Sequence, residues 1–141
     1  MYSKILCPID GSEVSDRGIH EAVQLARGQN ASVKFLHILD LGPLVQYPLG
    51  EEALAAVRQV AQSIVDDALK AAHQQGVHAE GVVKEVVQGR VGPAIVAHEE
   101  QFVPDLIVMG THGRRGMSRL LLGSDAALVA REAKTPVLLV K

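Results

Sequence analysis

The densest group of chemically capable residues runs from Met109 through Gly110, Thr111, His112, Gly113, Arg114, Arg115 and Gly116 to Arg119, and closes at Gly123-Ser124-Asp125. Glycines admit positive φ and bring the backbone close to a ligand. Backbone N–H groups at a helix start, helped by the helix dipole, hold anions. Guanidinium groups pair well with phosphate. A glycine-rich segment that opens a helix at Ser124 therefore points to phosphate. The simpler alternative is a βα turn with a capping serine. Two common phosphate motifs are absent. There is no G-x-x-x-x-G-K-[ST], so the chain is not a P-loop NTPase. Asp10-Gly11-Ser12 stands where a G-x-G-x-x-G would follow the first strand, which argues against a dinucleotide site. No G-x-S-x-G elbow occurs, and neither Ser118 nor Ser124 has an assignable base. The six histidines show no metal-ligand spacing.

Apolar runs at regular intervals supply the frame. Ile5–Ile9 is short and nearly continuous, as a strand buried on both faces should be. A helix follows, capped by Ser12 or Ser15, with Ile19, Val23, Leu25 and Ala26 inward and an end at Gly28-Gln29-Asn30. Val33–Leu39 is a second strand, and Asp40–Gly50 an irregular loop. Glu51–Gln75 is the longest helix, with Leu54, Val57, Val60, Ala61, Ile64, Val65, Ala68, Leu69 and Ala72 on one stripe. Val77–Val87 is a strand near an edge. Val91–Phe102 is a helix that tolerates Pro93 in its first turn. Leu106–Met109, a helix over Ser124–Ala133 and a strand over Pro136–Val140 complete the chain. Strict β-α alternation implies an α/β fold with parallel strands, right-handed crossovers and helices on both sheet faces. Ligands of such sheets sit beyond the carboxyl ends of the strands, where strand order reverses.

Composition narrows the classes further. The 141 residues suit one domain, 1–141, large enough to fold without disulfides or metal. A net charge of −2 gives no electrostatic footprint for nucleic acid. Aromatic residues make up only 3%, with no Trp, which disfavours a flavin or a single-strand groove. No run approaches the roughly 20 apolar residues of a membrane span, and no signal-peptide core is visible. A cytoplasmic protein is expected. The single cysteine, Cys7, reads as an inert buried thiol. His37 reads as a hydrogen-bonded core or pocket residue, and the acidic pairs Asp66-Asp67 and Glu99-Glu100 as solvated helix faces.

The spacing Gly110-x2-Gly113-x9-Gly123-Ser124 resembles the nucleotide-binding signature of the universal stress protein family. The opening Ile5-Leu6-Cys7-Pro8-Ile9-Asp10-Gly11-Ser12, the strand Phe35–Asp40 and the ending Pro136–Val140 are similar to that family's too, in order along the whole chain. The resemblance implies an open five-stranded parallel sheet of order 3-2-1-4-5, like that of the adenine nucleotide alpha hydrolases, with an ATP site at its carboxyl edge. By the same analogy Gly113, Gly123 and Ser124 hold phosphates, with Gly110 and His112 in the same loop. Asp10 faces ribose or a phosphate-bound Mg²⁺, and Pro8, Ile38 and Met109 line the adenine and ribose pocket. Asp125 stands where the family often carries an apolar residue; there it favours the helix start but repels a triphosphate unless it turns away or meets a metal. The implied ligand is ATP, AMP or ADP.

The reading that follows is a nucleotide-binding stress or signalling module with slow hydrolysis at most, since no general base or arginine finger is identifiable. A true ATP-using enzyme, an ATPase or an adenylating type, is the alternative. It lacks a glycine- and serine-rich pyrophosphate loop after the first strand. A phosphoacceptor receiver would want an acidic cluster after the first strand and an Asp after the third, where Gln88-Gly89 stands. The apolar last strand, Pro136–Val140, is an edge in a 3-2-1-4-5 order and invites pairing with a second copy. A homodimer through this strand is expected, and the resemblance implies the same.

Overall fold

The computed structural model describes residues 1–47, 50–112 and 121–141. Its elements run β1 (Lys4–Pro8), α1 (Glu13–Gln29), β2 (Ser32–Asp40), α2 (Gly42–Gln46), α3 (Glu51–Gln74), β3 (Ala79–Val86), α4 (Val91–Phe102), β4 (Leu106–Gly110), α5 (Ser124–Glu132) and β5 (Val137–Val140). All strand pairs are parallel, in the order β3-β2-β1-β4-β5. The expected topology is therefore present, with β3 and β5 at the edges.

Two cores flank the sheet. Ile5, Cys7, Val33, Phe35 and Val108 face α1 and α3, where Ile19, Val23, Val65 and Ala68 meet them. Leu6, Leu36, Ile38, Ile107 and Met109 face α4 and α5, where Ile95, Ala126 and Val129 cover them. The register carries the alternation across strands: Leu6 aligns with Lys34 and Ile107, and Pro8 with Leu36, so even positions of β1 and β2 share a face with odd positions of β4. Cys7 is fully buried, and burial pushes its thiol far up, out of the nucleophilic range.

Helix ends follow their local chemistry. Ser12 caps α1 by accepting from the Ser15 N–H at 3.1 Å, and Asn30 closes it in the left-handed region at φ 54°. Asp40–Gly50 departs from the expected irregular loop, because it holds the short helix α2. The Asp40 carboxylate accepts from the Gly42 N–H at 2.8 Å, and Pro43 presets φ in the first turn. On α3 the buried line is Ala61, Val65, Ala68 and Ala72. Val60, placed on the inner stripe by its spacing, is 54% exposed because it lies one residue off that contact line. Glu99 is a further correction. Far from a solvated face, it is only 3% exposed. Its Oε1 accepts from the N–H groups of Lys134 and Thr135 and from the Thr135 hydroxyl at 2.7–3.0 Å. The turn between α5 and β5 has backbone donors that need an acceptor, and Glu99 supplies it.

Candidate functional site

The sheet itself opens a crevice. The ladder between β1 and β2 continues to Pro8 and Leu36, while that between β1 and β4 ends at Leu6 and Ile107. The Ile9 N–H points to β2, donating to the Leu36 carbonyl at 2.8 Å. By alternation a donor at position 8 would point to β4. Proline has none, so no ladder bond is lost where the two strands part. This is also the place where strand order reverses. Pro8, Ile38 and Met109 lie on one face at the carboxyl ends of three adjacent strands, all buried. They form an apolar patch beside the crevice.

Asp10 follows β1 and is half-buried. Its Oδ1 accepts from the Ser12 N–H at 2.9 Å, and its own N–H donates to the Ser15 hydroxyl at 3.0 Å. One carboxylate oxygen is thus committed to the turn, and the side chain is held at the mouth of the crevice. His37 is buried on β2, where its Nδ1–H donates to the Ile9 carbonyl at 2.8 Å and pins the end of β1. It is a hydrogen-bonded core histidine, as expected.

The two described ends of the glycine segment meet directly. The Gly123 N–H donates to the Thr111 carbonyl at 2.7 Å. A Cβ at Gly123 would lie 2.8 Å from that oxygen and 3.3 Å from the His112 Cα. Gly123 has φ −58°, so its need for glycine is this close approach and not a left-handed backbone. Gly110 is glycine for another reason. A Cβ there would lie 2.7 Å from a Val14 methyl and 3.1 Å from the Val14 backbone, so it admits the first turn of α1. His112 Nδ1 lies 2.9 Å from the Thr111 hydroxyl, and its Nε2 is buried without a partner among the described residues. Gly113, Arg114, Arg115 and Arg119 lie outside the described residues.

Gly123, not Ser124, is the N-cap of α5, and among the described residues no side chain caps the helix. Ser124 is exposed at the first helical position. The first-turn N–H groups carry the positive end of the helix dipole, with no side-chain acceptor among the described residues. Asp125, in the same turn, points elsewhere: its Oδ1 accepts from the Gly92 N–H at 2.9 Å, in the first turn of α4. The carboxylate caps the neighbouring helix. Thr111 and Gly92 were not singled out by sequence. Nothing local marks Thr111, and the Gly92-Pro93 pair signals only a helix start.

The structure thus brings together Pro8, Asp10, Ile38, Met109, Gly110, His112, Gly123, Ser124 and Asp125 at the carboxyl edge of the sheet, around the start of α5. An apolar floor suits a flat heterocycle, a carboxylate suits hydroxyls or a phosphate-bound cation, and backbone amides at a helix start suit a phosphate. This combination defines an α/β protein with a crevice at its strand-order reversal.

Comparison with known proteins agrees. The universal stress protein family profile matches residues 1–141. A universal stress protein of Methanocaldococcus jannaschii is 35% identical over 144 residues, which span 100% of this chain and 83% of that protein. Another from the same organism has a solved structure that is 26% identical, with a TM-score of 0.84 and coverage of 100% and 96%. A universal stress protein solved in complex with cAMP is 28% identical, with a TM-score of 0.71 and coverage of 99% and 96%. The chain belongs to the universal stress protein family.

Proposed function

We propose that this protein binds an adenine nucleotide, ATP or its mono- and diphosphate forms, at the crevice between β1 and β4, and acts as a nucleotide-dependent stress or signalling module with slow hydrolysis at most. The observation that carries the reading is the contact of Gly123 with Thr111, which holds the start of α5 over the end of β4. In this reading Gly123, Ser124 and His112, with Gly113, hold phosphate. Pro8, Ile38 and Met109 hold the base and ribose, and Asp10 faces ribose or Mg²⁺. The cAMP complex of a 28% identical relative supports an adenine ligand on this fold. No helix among the described residues is long and apolar enough to cross a membrane. We place the protein in the cytoplasm, as a homodimer through β5.

The test is calorimetry with ATP, AMP and GTP, with and without Mg²⁺. Adenine nucleotides should bind and GTP should bind less well, because the apolar floor offers no partners for the extra polar groups of guanine. Absence of binding at millimolar ATP and AMP, or equal binding of GTP, would overturn the reading.

A further inference from the structure

We infer that His98 is an acid-sensitive latch: in its neutral form it holds α4 on the β2–β3 half of the sheet, and protonation loosens the helix. His98 is 8% exposed, and both ring nitrogens are buried without a hydrogen-bond partner among the described residues. Its ring lies 6.4 Å from that of Phe102, one helical turn on. The neutral imidazole therefore packs as an apolar plate.

The surroundings oppose a charge at this position. Lys34 of β2 and Lys84 of β3 face His98, as does Glu80 of β3, which is already paired with Lys34 at 3.5 Å. Lys4 of β1 donates to the Phe102 carbonyl at 2.7 Å, and its ammonium lies 4.4 Å from the Phe102 ring centroid; that of Lys34 lies 4.8 Å away. A proton taken from solvent by His98 would add a cation beside lysines and leave two N–H donors without acceptors. Burial first, then Lys34 and Lys84, hold the imidazole below its usual range, and Glu80 opposes them weakly.

The sign follows from linkage. The opened state binds more protons than the closed one below about pH 6.5, so closure weakens as pH falls from about 7 and levels off below the closed-state value. Release of α4 also reaches both neighbours it holds. Its first turn carries the Gly92 N–H that meets Asp125 of α5, and Glu99 fixes the turn leading into β5. Acidification thus frees the start of α5 and the lead-in to the edge strand through one helix.

Native-state hydrogen exchange of the full chain at pH 7.5 and pH 5, corrected for intrinsic exchange chemistry, tests this. In the wild type, α4 peptides should open several-fold more at pH 5. At that pH the ceiling is about thirtyfold, for an imidazole that titrates near 6.5 when opened. Peptides of β1 and β4 should not change. His98→Leu and His98→Gln should both remove the rise, since neither titrates; Gln covers a packing failure of Leu. The other five histidines are retained in both variants, so any effect of theirs cancels in the comparison. A wild-type α4 with no acid-induced opening, or variants that keep the wild-type rise, would overturn the proposal.

Discussion

Gly123→Ala isolates the contact on which the nucleotide reading rests. The new Cβ would lie 2.8 Å from the Thr111 oxygen, roughly half an ångström inside ordinary contact. The obstacle is backbone, so α5 or the end of β4 must move. At φ −58° alanine adds no backbone strain, so the whole effect comes from this displacement. The 2.7 Å bond from Gly123 to Thr111 lengthens or breaks, at a net cost of about 1 kcal/mol. Crowding adds a similar amount, so about 2 kcal/mol should be lost, or about 5–8 °C in Tm for a chain of this size. The fold survives, but the first-turn donors of α5 shift by the same fraction of an ångström. Donors aimed at a charged phosphate contribute about 1.5–3 kcal/mol each, so nucleotide affinity should fall tenfold or more. Calorimetry with AMP and ATP, beside thermal melts of the same preparation, gives both numbers. Gly28→Ala is the control: no atom lies within 4 Å of its Cβ and the position is helical, so stability should rise by up to about 1 kcal/mol with affinity unchanged. A Gly123→Ala protein that is less stable yet binds nucleotide as the wild type does would show that Gly123 serves the turn alone.

Asp125→Asn keeps an acceptor for the Gly92 N–H and removes a charge from the first turn of α5, so ATP should bind several-fold tighter by calorimetry; weaker binding would mark Asp125 as a cation ligand. Glu99→Ala leaves the Lys134 and Thr135 N–H groups without their acceptor and should cost about 2–3 kcal/mol in a urea melt, whereas a change under about 0.5 kcal/mol would mean that water replaces the carboxylate. Leu139→Pro should convert the proposed dimer to monomer by light scattering. The Pro136 and Val140 carbonyls point at β4, so by alternation Val137 and Leu139 present their N–H groups to the free edge; a folded, dimeric variant would put the interface elsewhere.

Most of the fold was legible because its signals are local. The strands are short apolar runs, α4 begins and ends where its periodicity does, and positive φ falls at Gly76 and Asn30, where turn chemistry asks for it. Two of the misses share a cause. Val60 and Glu99 are defined by what stands opposite them, and no sequence window contains that partner. Glu99 carries the pattern of a solvated helix residue, yet it meets backbone donors 35 and 36 positions away. Asp125 looked like a repulsive neighbour of phosphate, and only the approach of α4, 33 positions earlier, shows where its carboxylate is used.

The candidate site was legible in composition but not in its reasons. Gly110 and Gly123 belong to a single spacing pattern, yet they answer different constraints. One admits a side chain and backbone of α1 to the end of β4, and the other lets α5 begin against the carbonyl that ends the same segment. Pro8 belongs with them, since it withholds a donor where β1 and β4 separate. Each of the three residues removes an atom: a Cβ, a Cβ and an N–H hydrogen. The crevice is therefore built by what these positions lack. That is why the spacing of glycines and a strand-end proline points to a site. It also predicts which substitutions the site tolerates: side-chain changes at exposed Ser124 should be milder than any added atom at Gly123.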